Sequence, residues 1–171
     1  MLPDLLRPGL AVVFCGTAVA TASAARGHYY SGPGNKFWQL LHEAGFTPIL
    51  LCPEDDASLL DHGVGLTDLV KGVAQSHDAG LDYSGTSSVA AHIVAASPAW
   101  VAFNGLTAGR AAATQLGLAR KKEVALGEQP WGIGASRVFV LPSSSGANAG
   151  MPYTEKLKWW RELYERASTD S

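Results

Sequence analysis

Positive charge is not in excess in this chain: Lys and Arg number 13 against 15 Asp and Glu, a formal net charge of −2. That balance argues against a protein that coats nucleic acid through a broad basic surface, but not against an enzyme that grips a few phosphates locally. Cysteine is scarce too. The two present, Cys15 and Cys52, provide neither a disulfide framework nor metal-ligand spacing, and both are read as buried small hydrophobes. No apolar run is long enough to span a bilayer, and Met1 leads into Pro3 and Asp4 without a signal-peptide pattern. The expectation is a cytoplasmic protein with no membrane contact. Absent as well are a phosphate-binding glycine fingerprint, a nucleophilic triad, long repeats and any linker that would divide the chain. No metal or cofactor is expected.

What is present fits one globular domain spanning 1–171: 47% hydrophobic and 16% charged residues, with length enough for a substantial core. Leu10 to Cys15, bounded by Pro8-Gly9 and Gly16, reads as a buried parallel strand. Asn35 caps a helix over 36–44 that Gly45 stops. A short extended segment over 46–51 is weakened by Pro48, and 55–61 reads as one or two helical turns. Gly63 and Gly65 then break the chain and place Thr67 and Asp68 on a loop. The polar stretch 73–83, with His77, Asp78 and Asp82, reads as mobile; His77 is taken as a solvated loop histidine.

Ser84 or Thr86 caps a helix that ends at Pro98, and His92 within it reads as a residue at the boundary between core and surface. A strand over 99–104 and a helix over 107–116 follow. Arg120-Lys121-Lys122 is the clustered positive run, read as solvated surface, and 127–134 is a loop carrying Trp131. A last strand over 137–142 opens into the Ser/Gly-rich segment 143–150, before an amphipathic helix with Leu157, Trp160, Leu163 and Tyr164 on one face. Alternating strands and helices predict a three-layer α/β/α sandwich with a mainly parallel central sheet. Ligands bind such sheets beyond the carboxyl ends of the strands. Three segments gather there: 16–30, the Asn104-Gly105 turn, and 143–150.

The first of these is a run of small residues, Gly16-Thr17-Ala18-Val19-Ala20-Thr21-Ala22-Ser23-Ala24-Ala25, followed by Tyr30. Small side chains let a flat ligand lie against the backbone, and Tyr30 supplies a ring face for stacking. The plainer alternative is a Gly/Ala-rich connection that merely fits tightly.

This stretch resembles the mismatch-specific uracil-DNA glycosylases, relatives of the thymine-DNA glycosylases within the uracil-DNA glycosylase superfamily. Gly16, Ser23, Ala24, Gly27, Pro33, Asn35, Phe37 and Trp38 fall on that family's first motif without a gap, and Tyr30 takes the place of its stacking aromatic. Leu141-Pro142-Ser143-Ser144-Ser145-Gly146 is similar to the family's Leu-Pro-Asn-Pro-Ser-Gly, and Gly65-Leu66-Thr67-Asp68-Leu69-Val70 to its Gly-x-Thr-x-x-Val segment. The resemblance implies a monomeric enzyme without cofactor that acts on DNA containing uracil or mismatched bases. It also implies base contacts from Gly16, Thr17, Ala18, Ala20, Ser23, Tyr30 and Ser143. Three residues depart from the pattern. Ala18 stands where the family has its water-positioning asparagine, Ser143-Ser144 replaces Asn-Pro, and Ala147 replaces a bulky wedge.

Excision of a flipped base leaves negative charge on the base and cationic character on the sugar. Backbone N–H groups of the small-residue loop and a carboxylate near the sugar answer that need. Asp68 is the candidate catalytic carboxylate, ahead of Asp78 and Asp82. Its alternative reading is a solvated loop aspartate or a cap formed with Thr67. Candidate DNA contacts are Lys36, Lys71 and Arg110, together with the loop residues Ser144, Ser145, Gly146, Ala147 and Asn148. The Tyr30 phenol oxygen is expected to face solvent or a neighbouring hydroxyl. Two other functions compete: a non-catalytic module recognising uracil or abasic DNA, and an enzyme acting on free nucleosides.

Overall fold

The computed structural model describes residues 2–146 and 150–169. Its sheet has five strands in the order β2-β1-β3-β5-β4: β1 (Val12–Gly16), β2 (Val64–Asp68), β3 (Trp100–Asn104), β4 (Gly127–Ile133) and β5 (Ser136–Leu141). β1 pairs in parallel with β2 and β3, and β3 with β5, while β4 runs antiparallel to β5 at one edge. Covered on both faces, β1 is buried at every residue, which is why its sequence is an unbroken apolar run.

Successive side chains along each strand enter opposite layers. Val12, Phe14, Trp100, Ala102, Phe139 and Leu141 join one core cluster with helices α2 (Phe37–Ala44) and α5 (Tyr153–Thr169). Cys15, Val101, Phe103, Val138 and Val140 join the other with α3 (Thr86–Ala96) and α4 (Leu106–Gln115). The result is an α/β fold with helices on both faces of a mostly parallel sheet. On the first side Phe14 stacks on Trp160 at 5.3 Å between ring centroids and meets Phe37 edge-on at 5.5 Å. α5 approaches α2 so closely that a Cβ on Gly45 would lie 2.8 Å from the Tyr164 ring.

Four segments differ from the sequence expectation. The small-residue run contains a short helix, α1 (Thr21–Arg26), stopped by Gly27 in the left-handed conformation. Residues 46–51 form turns and bends instead of a strand, with Ile49 and Leu50 exposed. Residues 127–133 are not a loop but the edge strand β4, and its Pro130 is tolerated because an edge strand has backbone groups without ladder partners. Most consequential, Thr67 and Asp68 close a fully buried strand. Gly65 is a point of close approach and not a breaker, since a Cβ there would meet the Leu5 carbonyl oxygen at 2.5 Å. Leu5 crosses β2 and exchanges backbone hydrogen bonds with Leu66 at 2.9 and 3.0 Å. Of the cysteines, Cys15 is buried and Cys52 is exposed, contrary to expectation, at the start of a 3-10 helical stretch (Pro53–His62).

Candidate active site

Beyond the carboxyl ends of the parallel strands lies a cavity of about 860 Å³. Its wall takes residues from all three loop segments that the topology gathers, including Gly16 to Ala20 and Tyr30, Asn104 and Gly105, and Ser143 to Gly146. Asp68 joins them from the end of β2. The pairing that aligns Gly16 with Asp68 fixes this juxtaposition, reinforced by hydrogen bonds from Leu69 N to Gly16 O (3.0 Å) and Val70 N to Thr17 O (2.8 Å).

Asp68 is 4% exposed, on the cavity wall. Burial raises its carboxyl pKa from 3.8 to about 7, with Lys71 opposing the rise and Asp4 adding to it. A carboxylic acid poised near neutrality can accept a proton from water and release it again, which an ordinary surface aspartate does poorly.

Tyr30 sits beside this carboxylate. Its ring stacks on Phe37 at 4.1 Å between centroids, 18° from parallel, and its backbone occupies the left-handed region at φ 52°. That conformation is uncommon for a bulky residue. The phenol oxygen, expected to face solvent or a neighbouring hydroxyl, is buried, and the Asn104 side chain is the polar group that acts on it. A Cβ on Gly16 would lie 2.8 Å from Asp68 Oδ1 and 3.4 Å from Tyr30 Oη, so the absent side chain leaves the space where both oxygens converge. Burial and the Asp68 charge push the phenol pKa well up, keeping it a proton donor at any working pH.

Asn104, which ends β3, went unselected in the sequence reading although its turn was placed at the ligand edge. The available signal was a polar side chain closing an otherwise apolar strand. Its Nδ2 donates to Ser144 Oγ (2.9 Å), its Oδ1 accepts from Ser144 N (2.9 Å), and Ser144 Oγ donates to Asn35 Oδ1 (2.9 Å). Asn35 Oδ1 also accepts from Phe37 N at 3.0 Å, tying the start of α2 into the same network. Lys36 N donates to Ser144 O at 2.9 Å. Ser144 is thus 1% exposed and joins the loop to α2, a position in which its hydroxyl is engaged within the protein.

The remaining selected residues divide by location. Thr17, Ala18 and Ala20 are half-buried on the cavity wall, and Thr17 Oγ1 donates to Asp78 Oδ1 at 2.6 Å. That bond, with Gln75 N to Val19 O at 2.8 Å, draws the 75–78 segment over the small-residue loop, so His77 and Asp78 also line the cavity. Ser23 Oγ accepts from Ser31 N at 3.0 Å and holds the turn that carries Tyr30. Ser143 Oγ accepts from Ser145 N at 3.1 Å, and the exposed Gly146 lies against Gly34. Lys156 in α5 reaches the Ser145 carbonyl at 3.4 Å. Lys36 is exposed at the start of α2. Lys71 and Arg110 are not on the cavity wall: Lys71 bonds Asp4 and Thr67, and Arg110 Nη2 donates to Val124 O at 3.3 Å. Ala147 and Asn148 lie outside the described residues.

The Uracil DNA glycosylase superfamily model matches residues 3–164. The chain belongs to that superfamily. A solution NMR structure of a candidate uracil DNA glycosylase from Methanosarcina acetivorans is similar over 95% of this chain and 96% of its own. The TM-score is 0.58 and the sequence identity 25%. Within this superfamily fold the cavity wall carries both Asp68 and Ala18. Among the described residues no helix is long and apolar enough to cross a membrane.

Proposed function

We propose that this chain is a monofunctional DNA glycosylase of the mismatch-specific type, hydrolysing the N-glycosidic bond of uracil in DNA, with the base flipped into the cavity. The observation that carries the reading is Asp68: a carboxyl group on the cavity wall, 4% exposed and poised near pH 7, beside the bare backbone of Gly16. The ionised carboxylate takes a proton from a water molecule as that water's oxygen bonds to the sugar C1′ carbon. The bond from C1′ to the base nitrogen breaks, and its electron pair leaves with the base. Backbone N–H groups of the Gly16–Ala20 segment and the Asn104 edge receive the charge that grows on the base carbonyls. Ser143, Ser145 and Gly146 supply hydroxyl and backbone donors at the cavity rim for phosphate.

Ala18 favours one competing reading, a module that binds uracil or an abasic site without cleaving. Single-turnover assays on uracil-containing oligonucleotides, single-stranded and paired with guanine or adenine, separate the two. Alkali-sensitive abasic sites appear in the first case; binding without abasic product establishes the second. Release of uracil from deoxyuridine but not from oligonucleotides would identify a nucleoside enzyme instead.

A further inference from the structure

The face of β2 opposite Asp68 carries an ionic device that the proposed chemistry does not use directly. The N-terminal segment crosses β2 through the Leu5–Leu66 bridge and delivers Asp4 to this face. Asp4 Oδ1 accepts from Thr67 Oγ1 at 2.8 Å and from Lys71 Nζ, and Lys71 Nζ is 3.0 Å from Thr67 Oγ1. The three side chains close a ring at the wall of a second cleft of about 730 Å³, formed in part by Asp4, Leu69, Val70 and Lys71. Side-chain exposures of 32% for Lys71 and 23% for Asp4 place the pair at the boundary of the protein, where solvent screens it only in part.

We propose that Asp4 and Lys71 are positioning residues for Asp68: Asp4, pinned to β2 by its neighbour Leu5, anchors the Lys71 ammonium against Thr67 and keeps it from closing on Asp68 as a direct ion pair. The proposal rests on the reading of Asp68 as the group that activates water. A lysine paired directly with that carboxylate would occupy the lone pairs that must receive the water proton, and would make it a weaker base. Held behind the strand, the same ammonium offsets part of the burial without blocking the cavity side. The other titratable groups that share this environment are the Tyr29 and Tyr30 phenols and the Cys15 thiol, all pushed upward by burial and by the Asp68 charge. They are neutral at pH 7, so Lys71 and Asp4 are the charged pair acting on Asp68.

The test reads the carboxyl directly, so that it does not depend on turnover. Full-length protein carrying ¹³C-labelled aspartate is titrated by NMR, with the Asp68 signal assigned from Asp68→Asn, alongside Asp4→Asn, Lys71→Met and Lys71→Arg. The Asp68 midpoint is expected to fall by roughly half to one pH unit in Asp4→Asn and to rise by about as much in Lys71→Met, with Lys71→Arg near the parent value. Single-turnover cleavage should follow, with the acid limb moving in the same opposite directions and the plateau dropping severalfold in Asp4→Asn. Unmoved midpoints in both variants, or shifts of the same sign, overturn the proposal. Should Lys71→Met fail to fold, Asp4→Asn and Lys71→Arg decide it: an unmoved midpoint in Asp4→Asn is sufficient to reject it. Wild-type cleavage by Asp68→Asn would reject the underlying catalytic reading instead, whatever the titrations show.

Discussion

Gly16 and Asp68 face one another across the β1–β2 pair at a range that excludes any side chain on residue 16: its Cβ would sit 2.8 Å from Asp68 Oδ1. Gly16→Ala is therefore expected to turn the carboxylate aside without unfolding the sheet, because the obstructing atom ends a side chain. Single-turnover excision should fall about tenfold or more, a loss of at least about 1.4 kcal/mol of transition-state stabilisation. A melting temperature near the parent value, measured on the same preparation, would separate this from general damage.

Asp68→Asn is expected to lower single-turnover cleavage by roughly 10² or more while leaving oligonucleotide binding in place. Because water activation needs the ionised form, wild-type cleavage should rise with pH through a midpoint near 7, following the raised carboxyl pKa. A pH-independent rate between 5 and 9 would remove this carboxyl from the rate-determining step.

The same group makes stability depend on pH. Its folded value of about 7 stands above the ordinary 3.8, so the folded state holds this proton more tightly than the unfolded chain does. That contribution is complete below the unfolded value and is lost as pH rises to the folded one. Asp68→Asn should thus match the parent in denaturant melts near pH 4 and exceed it at pH 8, by up to about 4 kcal/mol. A variant less stable than the parent at pH 8 would show that the carboxylate is well compensated in the fold.

Tyr30→Phe removes a buried hydroxyl whose polar neighbour is the Asn104 side chain, itself held by Ser144, so stability should change by no more than about 1 kcal/mol. If the phenol serves the bound base or water beside Asp68, excision falls severalfold in the same variant. Tyr30→Leu also removes the ring that stacks on Phe37, and should weaken productive binding by about tenfold or more, the size of one base-stacking contact. Equal excision by Tyr30→Phe and the parent would assign the ring alone a role.

Ser144→Ala leaves Asn104 Nδ2 without its partner, while Asn35 Oδ1 keeps the bond from Phe37 N. An unsatisfied buried group costs about 1–3 kcal/mol, so the melting temperature should drop clearly. Ser145→Ala, at a half-buried rim position, should lower oligonucleotide affinity. A stable Ser144→Ala variant with weakened, salt-sensitive DNA binding would restore Ser144 to a direct phosphate role.

The sequence by itself determined the layered α/β fold, because that information is local. Unbroken apolar runs such as Val12 to Cys15 and Val101 to Phe103 need cover on both faces, and the amphipathic stretches between them supply it. Motif spacing was equally local, and it drew attention to Asp68, Tyr30 and the serine loop. What the tertiary structure decided is the state of those groups. Gly65, three residues before Asp68, looks like a loop signal in sequence, yet β2 pairs with β1 along its whole length and Leu5 approaches Gly65 too closely for any side chain. Burial at the strand end then carries the Asp68 carboxyl toward neutrality. Lys71 resembles a phosphate contact in sequence, yet Asp4, far away along the chain, holds it on the wall of a different cleft. Ser144 is likewise claimed by Asn104 and Asn35, partners 40 and 109 residues distant. Residue type and spacing establish which atoms are available; desolvation and ion pairing depend on which atoms meet, and chain folding alone brings these together.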